Sequence, residues 1–199
     1  MSGPLRDTWR GGPLVAAEGA SPRGGLRVVK FGGSLLERKD WPALAGDLLA
    51  EFPSCLLVVG GGSVVEGLRA LDAAAPGDPA LVHRLALEGM GITARFVAAR
   101  LELETVVEPL GRGAAVLDVA GWIDRAPARH DGLARCWSVT SDSLAARVAG
   151  LHAAGLVLAK RVPPPAQDLG ALAAAGWVDA SFPAVASGLT DLAWRAPAR

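Results

Sequence analysis

Sulfur is scarce in this chain of 199 residues, which has two cysteines, Cys55 and Cys136, and no CxxC or Cys/His cluster. Two cysteines do not make the disulfide framework that staples small secreted domains, and no spacing points to zinc. Cys55 opens the apolar run Cys55-Leu-Leu-Val-Val59 and reads as a small buried hydrophobe. Histidine is equally sparse. His83, His130 and His152 are scattered, which favours structural or solvent-facing roles over metal ligation. Net charge is also missing, since 20 basic residues balance 20 acidic ones. That argues against a general nucleic-acid binder, which carries a basic stripe. It leaves small anionic ligands open, because a few local cations suffice for them. No stretch reaches the roughly 18 consecutive apolar residues of a membrane span. Residues 1–25 are interrupted by Arg, Gly, Pro, Asp and Glu and do not read as a signal peptide. The expectation is a cytoplasmic protein with no membrane partner, a flexible tail over 1–25 and one compact domain over 26–199.

What is present is apolar residue in quantity, 51% of the chain, enough for a sizeable core. Leu26 to Phe31 is a short β-branched run that stops at Gly32-Gly33 and predicts a first strand. Asp40-Trp-Pro42 has the look of a helix start, followed by Leu44, Leu48 and Leu49 at helical spacing. Cys55 to Val59 predicts a second strand, stopped by Gly60-Gly61-Gly62, with a helix through Val64, Val65, Leu68 and Leu71. Asp78-Pro79 then starts a long helix to about Leu103, with Leu81, Leu85, Met90, Phe96, Val97 and Leu101 on its apolar side. Short strands are expected near 105–107 and 114–119, a loop over 124–132, a helix over 144–151 and a buried strand over 155–159. Three prolines, Pro163 to Pro165, force an extended connection before a last helix over about 168–175. Buried strand, glycine turn and helix in alternation predict an α/β three-layer sandwich: an open, mostly parallel sheet with helices on both faces.

The glycine turns carry the chemistry. In Lys30-Phe-Gly-Gly-Ser34, two glycines let the backbone bend sharply and offer its N–H groups to an anion. Lys30, on the strand just before, is placed to stabilise charge on a transferring phosphoryl group. Gly60-Gly61-Gly62-Ser63 also joins a strand to a helix N-terminus, where an anion is favoured. On neighbouring strands both loops lie at the carboxyl edge, where open α/β sheets bind ligands. Each loop alone can equally be a tight turn, and neither is a Walker A or GxGxxG motif. Thr140-Ser-Asp-Ser143 reads first as a helix N-cap. The alternative is that Asp142 orients Lys30 or helps bind a magnesium–nucleotide complex.

Taken in order, these segments resemble the amino acid kinase superfamily, which includes acetylglutamate, aspartate, uridylate, carbamate and isopentenyl phosphate kinases. Val28-Val-Lys-Phe-Gly-Gly-Ser34 looks like its first strand and glycine loop, Val58-Val-Gly-Gly-Gly-Ser63 like its second, and Thr140-Ser-Asp-Ser-Leu-Ala-Ala146 like the element carrying its organising aspartate. The resemblance implies an ATP- and magnesium-dependent phosphotransferase working on a small-molecule acceptor, as a homo-oligomer, with no protein-built metal site. Lys30 would assist transfer and Asp142 would hold the catalytic lysine or lysines. Gly32, Gly33, Ser34 and Ser141 would face the nucleotide phosphates, and Gly60, Gly61 and Gly62 the acceptor. The wording Trp137-Ser-Val-Thr-Ser-Asp-Ser143 looks most like the (aminomethyl)furan-methyl phosphate kinases of methanofuran biosynthesis and their bacterial relatives. An anionic acceptor of that kind calls for extra positive charge, with Arg84, Arg95, Arg135 and Arg161 as candidates. One departure stands out. The late strand ends Leu158-Ala-Lys-Arg161 and three prolines follow closely, where most superfamily members carry a Thr-Asp pair and a nucleotide-gripping loop. Lys160, also at a strand's carboxyl end, is the candidate second lysine, or else a lysine snorkelling out of a buried strand. The alternative reading of the whole is a non-catalytic, anion- or nucleotide-binding or regulatory protein with this fold.

Overall fold

Alternation along the strands decides which side chains meet. A computed structural model describes residues 8–15 and 25–198. In it strand β2 (Arg27–Phe31) runs parallel between β3 (Cys55–Val59) and β6 (Gly155–Ala159), with Lys30 level with Val58 and Leu158. Beyond β3 lie β5 (Ala115–Leu117) and β4 (Thr105–Val106), and beyond β6 lies β7 (Leu192–Pro197), all parallel. An antiparallel edge strand, β1 (Trp9–Val15), completes the seven-stranded order β1-β7-β6-β2-β3-β5-β4. The sheet is therefore mostly parallel, and the chain leaves β2 for one side and later returns on the other. Such a reversal opens a crevice at the carboxyl ends of the central strands.

Because successive side chains alternate faces, Val28, Leu56, Val58, Leu156 and Leu158 enter one apolar layer, and Val29, Phe31, Leu57, Val157 and Ala159 the other. The first layer is covered by α4 (Val119–Arg125), α5 (Ser141–Leu151), α6 (Leu169–Ala174) and α7 (Phe182–Ala186). The second is covered by α1 (Trp41–Glu51) and the 3₁₀ turn Gly33–Glu37. Helix α3 (Pro79–Leu101) serves both, with Leu87 and Met90 in one layer and Ala94, Val97 and Ala98 in the other. It starts as expected, with the Asp78 carboxylate accepting from the Leu81 N–H at 2.8 Å. Helix α2 (Gly62–Ala74) packs beside it. Lys30 shares the parity of Val28, so it points toward α5. Lys160 shares that of Leu158 and points the same way.

Several expectations are corrected. The flexible tail over 1–25 does not hold for Trp9–Val15, whose backbone pairs with β7 and whose Trp9 indole donates to the Leu44 carbonyl at 3.1 Å. The rest of that expected tail lies outside the described residues, apart from Thr8 and Gly25. The loop over 124–132 is largely the end of α4 and a 3₁₀ turn, Pro127–His130, and α4 carries the fully buried Trp122. Helix α7 and strand β7 were not foreseen. Short elements bounded by prolines, Phe182-Pro183 among them, give too few turns for a periodic signal. Along α3 the core-facing side is Val82, Ala86, Leu87, Met90, Val97 and Ala98, while Leu81, Leu85 and Phe96 are exposed. An apolar stripe all round a helix cannot tell which face meets the sheet. Cys55 is buried as expected, and burial pushes its thiol up to about 12. No helix among the described residues is long and apolar enough to cross a membrane.

Candidate functional site

Three charged side chains meet where β2, β6 and α5 converge. Lys30 Nζ lies 2.8 Å from one oxygen of Asp142 and Lys160 Nζ 2.7 Å from the other. All are largely withdrawn from water, with side chains 7%, 14% and 6% exposed for Lys30, Lys160 and Asp142. Lys160 also donates to the Trp177 carbonyl and sits 4.9 Å from the centre of the Trp177 ring. It does not snorkel. Asp142 does not cap α5 either, because its carboxylate is committed to the two ammonium groups. Thr140 of the expected cluster is the N-cap, braced by Asp179. Asp179 accepts from the Thr140 N–H (2.9 Å), the Thr140 hydroxyl (2.8 Å) and the Ser143 N–H (3.0 Å), and from the Ser143 hydroxyl at 2.5 Å. Thr140 Oγ1 adds a long contact to the Asp142 N–H at 3.5 Å. Asp179 thus fixes the first turn of α5, and that turn presents Asp142 to the sheet. Sequence reasoning missed Asp179, which lies 36 residues from Ser143 in a short segment without periodicity.

Burial works against the charge on Asp142, but Lys30 and Lys160 outweigh it and hold the carboxyl below the usual carboxylate range. Burial is also the main influence on Lys160, and with the nearby Lys30 charge it brings the ammonium down to about 8 against the pull of Asp142. Two cations and one anion leave a net positive charge beneath the crevice.

The two glycine loops close on each other above this triad. The Gly32 N–H donates to the Ala159 carbonyl and the Gly60 N–H to the Phe31 carbonyl, both at 2.9 Å, tying the turns to the neighbouring strands. A Cβ on Gly33 would fall 2.3 Å from the Gly62 nitrogen, and one on Gly60 would fall 2.7 Å from the Gly33 nitrogen. Gly62 itself has φ of +50°. Tight turning and loop-to-loop packing therefore both require glycine here. The geometry also leaves the loops lining a cleft of about 460 Å³. Lys30, Gly32, Gly33, Ser34, Ser141 and Lys160 line one part of it together with Gly60, Gly61 and Gly62. The expected lysines, glycines and serines are thus gathered here, with Asp142 bridging the lysines beneath.

The cleft is also lined by apolar residues of α2, α3, α5 and the segment before α5: Val65, Leu87, Met90, Leu144 and Val139. Of the four arginines expected to meet an anionic acceptor, only Arg161 lines it, 3.3 Å from Glu37. Arg84 is held by Asp124 (2.6 Å) and Glu88 (2.9 Å), and Arg95 and Arg135 are exposed outside the lining. Arg69 and Trp137 line the cleft instead. His83 lines it, and its Nε2 lies 2.9 Å from that of His130, 47 residues on. The Cys136 carbonyl, 3.3 Å from His83 Nδ1, can only accept, so that nitrogen carries the proton. His130 Nδ1 is buried and has no hydrogen-bond partner among the described residues. Burial pushes both rings down, helped by His130 at His83 and by Arg135 at His130.

By sequence, no protein-family model and no curated protein matches the chain. Solved structures do match. A UMP kinase from Ureaplasma parvum aligns over 85% of this chain and 88% of its own, with 15% identity and a TM-score of 0.55. A uridylate kinase from Archaeoglobus fulgidus aligns over 72% and 69%, with 16% identity and a TM-score of 0.49. The chain shares the fold of the first. It is an amino acid kinase-like fold, the three-layer arrangement with an open, mostly parallel sheet expected from the alternation of buried strands, glycine turns and helices.

Removing Asp142 leaves two buried ammonium groups facing each other without a counter-charge. Asp142→Ala is expected to cost about 3–5 kcal/mol of stability, the cost of breaking a buried ion pair from one side. Denaturant unfolding measures it, and a loss under about 1 kcal/mol would show that the lysines do not depend on this carboxylate.

Proposed function

We propose that the protein is an ATP-dependent phosphotransferase acting on a small phosphorylated acceptor. The observation that carries this reading is the pair of buried lysines on one aspartate, set at the carboxyl ends of two adjacent parallel strands under two glycine loops. Phosphoryl transfer asks a protein chiefly for positioning and for fixed positive charge where negative charge spreads over the transferred group. In this reading Lys30 and Lys160 supply the charge, and Asp142 keeps their spacing. Gly32, Gly33, Ser34 and Ser141 face the nucleotide phosphates, and Gly60, Gly61 and Gly62 face the acceptor. The N–H groups of Gly33, Ser34, Gly61 and Gly62 are not used in turn hydrogen bonds, so they suit anionic oxygens. The described residues hold no group of three His, Cys, Asp or Glu side chains placed to ligate a metal. Magnesium would therefore enter with the nucleotide, held by phosphate oxygens and water, and would neutralise phosphate charge there.

Within this class we favour (aminomethyl)furan-methyl phosphate as acceptor, with its diphosphate as product. That choice rests on the Trp137-to-Ser143 wording and on an apolar wall suited to a small ring. A non-catalytic, anion- or nucleotide-binding protein is the second reading. It is favoured by one observation, the tie of Lys160 to Trp177 as well as to Asp142, which leaves that lysine little freedom. The proposed partner is a second copy of the chain. Leu81, Leu85, Ile92 and Phe96 are exposed and fall within one narrow face of α3, the arrangement of a helix that packs on its twin.

ADP release from magnesium-ATP, with (aminomethyl)furan-methyl phosphate as acceptor, is expected from the wild-type protein and should fall by orders of magnitude in Lys30→Ala. A folded protein that binds nucleotide yet forms no product with this or other phosphorylated acceptors would leave the non-catalytic reading in possession. The pH profile offers a second check. Lys160 is charged below about 8 and loses its proton above it, so turnover should decline as pH rises through that value. Lys160→Arg, which keeps its charge, should abolish that decline in whatever activity it retains. Stability moves oppositely for this group: between about 8 and the ordinary lysine range the unfolded chain binds more protons, so its contribution rises with pH. Sedimentation at micromolar concentration should find a dimer or larger species, and Ile92→Glu should shift it to monomer. A strict wild-type monomer would refute the self-pairing of α3.

A further inference from the structure

The acceptor end of the cleft holds an arginine that the lysine triad does not employ. Arg69 lies on α2, seven residues beyond Gly62, so about 10 Å further along the helix axis than the glycine loop. Its guanidinium carbon stands 4.1 Å from the centre of the Trp137 ring, over its face. Trp137 is itself fixed: its indole N–H donates to Asp72 Oδ2 at 2.7 Å, and the other Asp72 oxygen accepts from the Gly77 N–H at 2.9 Å. A guanidinium over the face of an anchored indole is held in place by cation–π attraction, which does not consume its N–H donors. Only a loose contact engages them, 3.5 Å to an exposed Glu66 oxygen, and no hydrogen bond to a protein acceptor among the described residues does so. Arg161, the other arginine of the cleft, already faces Glu37, and both lysines are bound to Asp142.

We infer that Arg69, seated over the face of Trp137, is the residue that grips an oxyanion of the acceptor and makes the cleft selective for phosphomonoesters over the corresponding alcohols. The inference rests on the phosphotransferase reading for the phrase "acceptor", but the binding it describes does not require transfer to occur. A guanidinium offers two parallel N–H donors to a phosphate. The cleft that Arg69 shares with the two lysines also has apolar lining, from Val65, Leu87, Met90, Val139 and Leu144. A ligand with a small apolar or aromatic body next to its phosphate is therefore the class that fits. The lysines act on the group being transferred, and Arg69 holds the acceptor oxygens that do not react. Trp137 is a positioning residue in this scheme, acting through Arg69.

Titration calorimetry with benzyl phosphate and benzyl alcohol tests this without nucleotide. Wild-type protein should bind benzyl phosphate at least tenfold more tightly than the alcohol. Arg69→Ala should weaken benzyl phosphate by roughly ten- to a hundredfold, the range for a hydrogen bond to a charged group, and leave the alcohol unchanged. Arg69→Lys should recover only part of the loss, since a lysine lacks the planar fork. Trp137→Phe should retain most of the binding and Trp137→Leu should lose it several-fold, because the first keeps an aromatic face under the guanidinium. Arg69 is partly exposed, so its truncation leaves the core intact, and unchanged thermal unfolding would verify that. Benzyl phosphate bound equally by wild type and Arg69→Ala, or not preferred over the alcohol by wild type, overturns the inference. Failure of the phosphotransferase reading shows itself differently, as Arg69-dependent binding with no ADP formed when magnesium-ATP is added.

Discussion

The carboxylate of Asp142 is the constraint on which the rest of the site depends. Two ammonium groups at the ends of adjacent parallel strands repel each other, and inside a protein that repulsion is weakly screened. One carboxylate between them, with an oxygen for each, converts the repulsion into a fixed spacing. The arrangement is costly in desolvation, and an apolar trio of similar volume would fold as well or better. Its retention by this chain makes sense where localised positive charge is needed beneath a cleft. The carboxylate is in turn only as well placed as the first turn of α5, and that turn is held by Asp179 from a segment near the end of the sheet's last connection. A chain of dependence therefore runs from a distant loop, through a helix cap, to the spacing of two lysines.

The glycine loops show how a packing requirement and a binding opportunity can share residues. Gly33 and Gly60 are needed because the two turns touch backbone to backbone, with no room for a Cβ. The same closeness aligns two sets of amide groups over the lysines. Neither purpose can be separated from the other by substitution, since any side chain at these positions disturbs both. The α2–α3 side of the cleft is different. There the helices lend apolar lining, and anchoring comes from single side chains, Asp72 for Trp137 and Trp137 for Arg69, which can change without rebuilding the fold.

Much of the fold was legible because its signals are local. Each buried parallel strand is a short apolar run ended by glycine or a turn, and each long helix has a visible start, as at Asp78-Pro79. The lysine and glycine positions were legible for the same reason. What failed was whatever depends on partners remote in the chain. Trp9–Val15 has no alternating pattern of its own and becomes a strand only against β7. Leu81, Leu85 and Phe96 were placed in the core because apolar character does not say which face of a helix meets the sheet. Arg84 seemed available to an anion, but Asp124, forty residues away, holds it.

The sequence by itself determined the α/β class, the order of glycine turns and helices, and the lysines, glycines and aspartate that meet at the crevice. Composition, period and backbone freedom act over a few residues, and the chain displays them directly. Tertiary structure alone decided what those residues do to one another. It made Asp142, in the first turn of a helix capped by Thr140, the bridge between Lys30 and Lys160, and braced that turn with Asp179. It paired His83 with His130 and laid Arg69 on Trp137. Each of these relations joins side chains dozens of residues apart or more, apart from the eighteen between Asp142 and Lys160. Electrostatic and stacking energies depend on distances that only the packed chain sets.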